Sequence, residues 1–102
     1  MWDLKQTFSF EKKFAKIIPK NLQEQVIKQI QKLAENPFNS KPLGYSFLRE
    51  KKIKKWRIYF LIYERELVIF FIDLSDKKLQ KTTIKSIKKR FKEFKKIIEK
   101  EL

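Results

Sequence analysis

The sequence predicts an α+β domain, a small antiparallel β-sheet packed against an α-helical hairpin, in the order strand, helix, helix, three strands, helix. Three observations predict it. Apolar residues recur at helical spacing over residues 9–18, 21–36 and 77–102. Residues 56–63 and 67–73 form two runs rich in Ile, Val and aromatic side chains, the composition of buried strands. Two of the three Pro and the single Gly fall within residues 37–46, which marks one loop between the helical and the strand-rich halves. A chain of 102 residues has room for one domain, so residues 1–102 are expected to fold as a unit. Ten Phe, two Trp and three Tyr supply bulk for its core, so a 37% charged content does not imply disorder.

Residues 2–10 alternate as a strand should, with Trp2, Leu4, Phe8 and Phe10 at even positions. A short helix is expected next, with Ser9 as N-cap, an apolar face of Phe10, Phe14, Ile17 and Ile18, and a stop at Pro19. The second helix has Asn21 and Glu24 at capping-box spacing and a stripe of Leu22, Val26, Ile30, Leu33 and Ala34, ending at Asn36-Pro37. About three residues separate the two, which favours an antiparallel hairpin.

After the loop, "FLREK" reads as a strand and "KKIKK" as a charged turn without Gly, for which a longer loop is expected than a tight two-residue one. In "KWRIYFLIY" a period of two puts Trp56, Ile58, Phe60 and Ile62 on one face, and Arg57, Tyr59, Leu61 and Tyr63 on the other. The mixed second face is expected to lie partly open to solvent or ligand. "LVIFFID" is apolar enough for a central strand. Residues 77–102 are then expected to form one long basic helix capped by Ser75 or Asp76, with a stripe of Leu79, Thr83, Ile87, Phe91, Phe94, Ile98 and Leu102. Unbroken, it would be roughly 38 Å long, so it must either bend or project and offer Phe91, Phe94 and Ile98 to a partner.

No Cys and no His are present, which removes disulfides, thiol nucleophiles, imidazole bases and Cys or His metal ligands. The expectation is no cofactor and no metal, with any chemistry carried by Lys, Arg, Tyr or carboxylates. No secretory pattern opens the chain and no apolar run reaches the ~18 residues of a membrane span, so a cytoplasmic protein without a membrane partner is expected. The net charge of +14 is unevenly placed, +3 in residues 1–40 and +11 in residues 41–102. Such a field attracts polyanions, nucleic acid first, with an anionic membrane or an acidic protein behind it. A Lys-rich composition is weak evidence alone, but eleven basic residues against two acids between Lys77 and Lys100 are not explained by composition.

Six basic residues stand in the ten positions Leu48 to Arg57 of "LREKKIKKWRIYFLIY". With its flanks this stretch resembles the RelE/ParE toxin superfamily of type II toxin-antitoxin systems, on Asn36-Pro37, Ser40-Lys41-Pro42-Leu43, Leu48-Arg49-Glu50-Lys51 and Trp56-Arg57-Ile58-Tyr59. "DLSDKKLQKTTIKSIK" is similar to the ending of an archaeal RelE-like branch, and the resemblance runs from Phe8 to about Arg90. It departs at Ser40, where Gly is usual, at Trp56, where Tyr is usual, and in lacking a C-terminal Arg-x-x-x-Tyr, a region that here offers Lys81, Thr82 and Thr83.

The resemblance implies a RelE-like fold and a ribosome-dependent mRNA endonuclease that inhibits translation by directing a 2′-hydroxyl at the adjacent phosphate. Partners would be mRNA on the ribosome and an acidic antitoxin protein in a hetero-oligomer. Two alternatives stand beside it: a non-catalytic RNA- or ribosome-binding protein of the same fold, and a ParE-like DNA gyrase inhibitor. Transesterification needs a base, an acid and positive charge around the phosphorane. A Lys in a cationic cluster is a candidate base, since neighbouring positive charge lowers its pKa. Arg57 matches the family's strand arginine and is the first candidate clamp, unless it pairs with Glu50 or Glu64. Arg49 and Lys52 complete the candidate catalytic set. Lys51, Lys54, Lys55, Lys77 and Lys78 are candidate RNA contacts, and Tyr59 a candidate stacking residue or proton donor.

Overall fold

The computed structural model describes residues 2–101. It contains β1 (Asp3–Gln6), α1 (Phe8–Ile17), α2 (Lys20–Lys32), β2 (Lys41–Pro42), β3 (Leu48–Ile53), β4 (Trp56–Tyr63), β5 (Val68–Asp76), α3 (Gln80–Lys89) and α4 (Phe91–Glu101). The strands form one sheet in the order β1-β5-β4-β3-β2. The α+β class and the helical hairpin stand as expected. The sheet, however, is mixed, because β1 runs parallel to β5 while every other pair is antiparallel.

Alternation along β4 sends side chains into two separate cores. Trp56, Ile58, Phe60 and Ile62 join Ile69, Phe71 and Leu74 of β5 under α1 and α2, where they meet Phe10, Ile18, Val26, Ile30 and Leu33. Tyr59 and Leu61 join Phe70 and Ile72 on the other face, under Ile87 of α3 and Phe94 and Ile98 of α4. The second face is partly open, as expected, only at its ends, where Arg57 and Tyr63 are half-buried; between them the C-terminal helices cover Tyr59 and Leu61. Tyr59 is 0% exposed.

Local chemistry moves several boundaries. Thr7, not Ser9, caps α1: its Oγ1 accepts the Phe10 N–H at 2.9 Å while its own N–H donates to Phe71 O, so the strand ends and the helix begins at one residue. Helix α2 starts at Lys20 behind Pro19, and the Asn21/Glu24 capping box does not form. Gln23 instead ties the hairpin by donating from Nε2 to Ile18 O at 2.9 Å. Within the expected loop, Lys41 and Pro42 pair with Glu50 and Arg49 as the short β2.

The β3–β4 turn is tight, since Ile53 pairs directly with Trp56 and Lys54 takes a left-handed φ of 56°. Six cross-strand pairs hold the hairpin. They outweigh the roughly 1–2 kcal/mol that a side chain costs in that region. Ser75 and Asp76 extend β5 rather than capping a helix at 77, although Asp76 Oδ1 does accept the Leu79 N–H just before α3.

The long C-terminal helix is two helices. It breaks at Arg90, which leaves the helical region with φ −112° and ψ 16°. A straight rod of roughly 38 Å would overrun a molecule whose longest extent is 34 Å. Bending instead lets Ile87, Phe94 and Ile98 all reach the same core. Leu79 is exposed, and Leu102 lies outside the described residues. No helix among the described residues is long and apolar enough to cross a membrane.

The bend predicts unequal effects along one stripe. Phe94→Ala should cost about 3–5 kcal/mol of unfolding free energy. Phe91→Ala, removing a ring that is only half-buried, should cost clearly less in the same denaturant titration. Equal losses would mean that the helix does not turn at Arg90.

Candidate functional site

Charged side chains that leave β3 and β4 on the α3–α4 side have only the sheet edge and the strand ends to occupy. The register lines them up in two rows. Lys52 faces Arg57, which faces Ser75, and Lys41 faces Glu50, which faces Tyr59. Cross-strand partners share a face, so Lys41, Glu50, Lys52 and Arg57 lie on one side of the sheet. Together with Asn39, Ser40 and Lys51 they line a shallow open depression beside β2.

Glu50 is the unusual member, a carboxylate only 3% exposed. Its Oε1 accepts from Gln80 Nε2 at 2.7 Å, and its Oε2 meets Arg57 Nη1 at 3.3 Å. The residue thus ties β3, β4 and the first turn of α3 at one point. The pair is not the two-pronged fork that arginine and carboxylate can make. Arg57 Nε–H is buried and has no acceptor among the described residues. An unsatisfied buried donor costs about 1–3 kcal/mol, so this guanidinium is held less than fully.

Arg49 and Lys51 face the other way. Arg49 pairs with Phe60 and Lys51 with Ile58, both in the α1–α2 core. Arg49 donates from Nε to Ser46 O and from Nη1 to Ser40 O, each at 2.9 Å, and lies 5.1 Å from the centre of the Phe38 ring. Lys51 Nζ donates to Asn39 O at 3.2 Å. Both therefore pin the loop that shapes the depression. Arg49 does not share Arg57's face, whereas Lys51 still reaches the depression's rim.

Lys54 and Lys55 are exposed in the β3–β4 turn, with Lys55 Nζ 5.4 Å from the Trp56 ring centre. Trp56 pairs with Asp76, so the exposed Lys77 and Lys78 emerge at that same end of the sheet. Tyr59 does not offer a ring face to a base. Its hydroxyl shares a 2.8 Å hydrogen bond with Ser75 Oγ, and burial pushes its pKa from 10.0 up to about 12 against the smaller pull of that bond. It is a poor proton donor near neutrality. Sequence reasoning missed Lys41, Ser75 and Gln80. Strand alternation places Glu50 opposite Tyr59 once the turn is known to be tight, but nothing in the sequence announces Gln80, thirty residues away.

Comparison with protein-family models and with curated protein sequences finds no match. Solved structures do match. A free-state arginine-to-alanine double mutant of the E. coli toxin RelE superposes with a TM-score of 0.71 at 17% identity, over 86% of this chain and 96% of that one. The intact E. coli RelBE toxin-antitoxin complex gives 0.64 at 18% identity over 74% and 96%, and the archaeal RelE-RelB complex from Pyrococcus horikoshii gives 0.62 at 17% over 74% and 93%. The fold is that of the RelE toxins. These likenesses do not single out an archaeal branch.

The Tyr59 phenol supplies a test of this packing. Its folded pKa lies above the unfolded 10.0, so its contribution to stability is complete below pH 10 and is lost as pH rises towards about 12. The melting temperature of the wild type should fall more steeply over that window than that of Tyr59→Phe. Their difference absorbance titration should show one phenol ionising near pH 12. Ionisation near 10 would place Tyr59 in solvent.

Proposed function

We propose that the chain is a RelE-type toxin that cuts mRNA on the ribosome and is neutralised by an acidic antitoxin. The observation that carries this is the Lys52–Arg57 row, two cations side by side on one face at an open depression, in a chain of RelE fold with net charge +14. Support for the partner is the charge itself, which an acidic protein complements. Of the similar structures named above, the intact E. coli RelBE structure is a toxin-antitoxin complex and the P. horikoshii structure a RelE-RelB complex.

In this reading a phosphodiester enters the depression and takes Arg57 Nη1 from Glu50, and its oxygens also supply an acceptor for the unsatisfied guanidinium. The 2′-hydroxyl attacks phosphorus as its proton passes to water, the bond to the 5′-oxygen breaks with that oxygen taking a proton from the Lys52 ammonium, and a 2′,3′-cyclic phosphate and a 5′-hydroxyl result. Arg57 and Lys52 stabilise the extra negative charge of the phosphorane. Lys52 is exposed and opposite Arg57, so its ammonium is the group positioned to give a proton to the leaving 5′-oxygen. Glu50 is buried with Gln80 on Oε1, and Tyr59 is buried too, so neither serves this role. Lys51, Lys54, Lys55, Lys77 and Lys78 hold flanking phosphates, and Arg49 keeps the loop in place. The ribosomal target makes the cytoplasm the site of action.

A cell-free translation reaction tests the proposal. The wild type should arrest synthesis with cut mRNA, and Arg57→Ala should weaken cutting about 100-fold or more. Because that change strands the buried Glu50 carboxylate, Lys52→Ala, at an exposed position, is the companion variant and should weaken cutting without lowering the melting temperature. Intact mRNA at high protein concentration would contradict the proposal. Arrest with intact mRNA would indicate a binding protein of the same fold, and trapped cleaved supercoiled DNA in a gyrase assay would indicate a ParE-like target.

A further inference from the structure

A second surface stands out, at the junction of α3 and α4. Tyr45 is 45% and Phe47 40% exposed, and their rings lie 5.0 Å apart. Both meet the Phe91 ring edge-on, at 5.3 and 5.5 Å. Three aromatic rings gathered with two of them open to water are an uncommon use of surface, since an exposed apolar patch loses the stabilisation that burial would give.

The cluster is built rather than adventitious. The segment joining β2 to β3 is fastened at both ends: Leu43 N–H donates to Leu48 O at 3.0 Å, Leu48 N–H to Tyr45 O at 3.3 Å, and Ile62 N–H to Phe47 O at 2.8 Å. Leu43 and Leu48 are buried in the α3–α4 core. Gly44, at φ +90°, occupies the left-handed region that favours glycine and lets Lys88 Nζ close in, since a Cβ there would stand 3.3 Å from it. The break at Arg90 starts a new helix at Phe91, which sets that ring against the other two.

The surroundings are cationic. Lys88 Nζ lies 5.8 Å from the centre of the Tyr45 ring, and Lys95 lines the cleft between Phe47 and Phe91. Exposed rings flanked by ammonium groups are the means by which proteins hold unpaired bases, the ring stacking on the base and the cations holding the backbone. We propose that Tyr45, Phe47 and Phe91 form a stacking platform for an unpaired base of single-stranded RNA, with Lys88 and Lys95 holding its flanking phosphates. Strand β3 connects this platform to Lys52, about 13 Å along from Leu48 at ~3.3 Å per residue, so one RNA strand can engage both. This rests on the reading of the chain as RNA-directed, but not on cleavage.

The test measures binding of a labelled oligouridylate dodecamer and of an RNA duplex of equal length to the full chain, without ribosomes. The Tyr45→Ala/Phe47→Ala variant removes exposed rings, and its melting temperature should stay near that of the wild type. It should bind the single strand at least about fivefold more weakly while keeping its affinity for the duplex and its salt dependence. Lys88→Gln should reduce the salt slope of single-strand binding. Unchanged single-strand affinity would overturn the platform, as would an equal loss on the duplex. Loss of binding only to an acidic amphipathic peptide would overturn it too, and assign the patch to a protein. If Arg57→Ala abolishes cutting while the platform variant's loss of binding persists, the two claims are separated. If no cutting is found at all, the binding result still decides this one.

Discussion

Both faces of β4 and β5 are covered by helices, and this constraint decides where charge can go in a chain that carries so much of it. The two strands bury aliphatic and aromatic side chains in both directions, so cations must emerge at the strand ends, at the β2–β3 edge or on the outer faces of the helices. Glu50 and Arg57 depart from this, a carboxylate and a guanidinium both taken largely out of water. Desolvating such a pair costs several kcal/mol per ion and is offset only by good geometry and further hydrogen bonds. Gln80 supplies one of these, and Arg57 Nε–H lacks another. Glu50 thus fastens α3 to the sheet through Gln80, while its arginine partner keeps one donor unsatisfied.

The rest of the candidate site follows from that fastening. With Gln80 on Glu50, α3 begins over the sheet edge, and Lys77 and Lys78 just before it are set at the end where Lys54 and Lys55 turn. The row of Lys52, Arg57 and Ser75 lies one step inside. Arg49 and Lys51, alternate residues on β3, point to the other face and spend their donors on carbonyls of the loop before β3. One strand therefore both builds the wall of the depression and presents cations into it.

Much of this was legible in the sequence, and the failures have physical causes. The apolar row of Trp56, Ile58, Phe60 and Ile62 follows from alternation alone, and the sequence marks Arg57 with Glu50 or Glu64 as its counter-ion, of which the fold selects Glu50. The burial of Tyr59 is not legible because a strand's second face reveals its polarity but not what covers it, and the covering helices lie more than twenty residues downstream. The tight turn at Lys54 was hidden because tertiary pairing overrode a local preference for glycine or asparagine. The break at Arg90 carries no Gly or Pro, and it keeps Ile87, Phe94 and Ile98 on one core. Register placed Lys41 opposite Glu50, but β2 is two residues long and leaves no periodic trace.

The central claim is that Arg57 exchanges Glu50 for an RNA phosphate. Nitrogen-15 side-chain NMR can follow the Arg57 Nε–H signal while a short oligonucleotide is added at constant ionic strength. The account predicts that this signal shifts and saturates together with Lys52, and that in Glu50→Gln it starts closer to its RNA-bound position. A stationary Nε–H signal, with shifts confined to the exposed lysines, would mean that Arg57 is a structural residue and that the phosphate is held elsewhere.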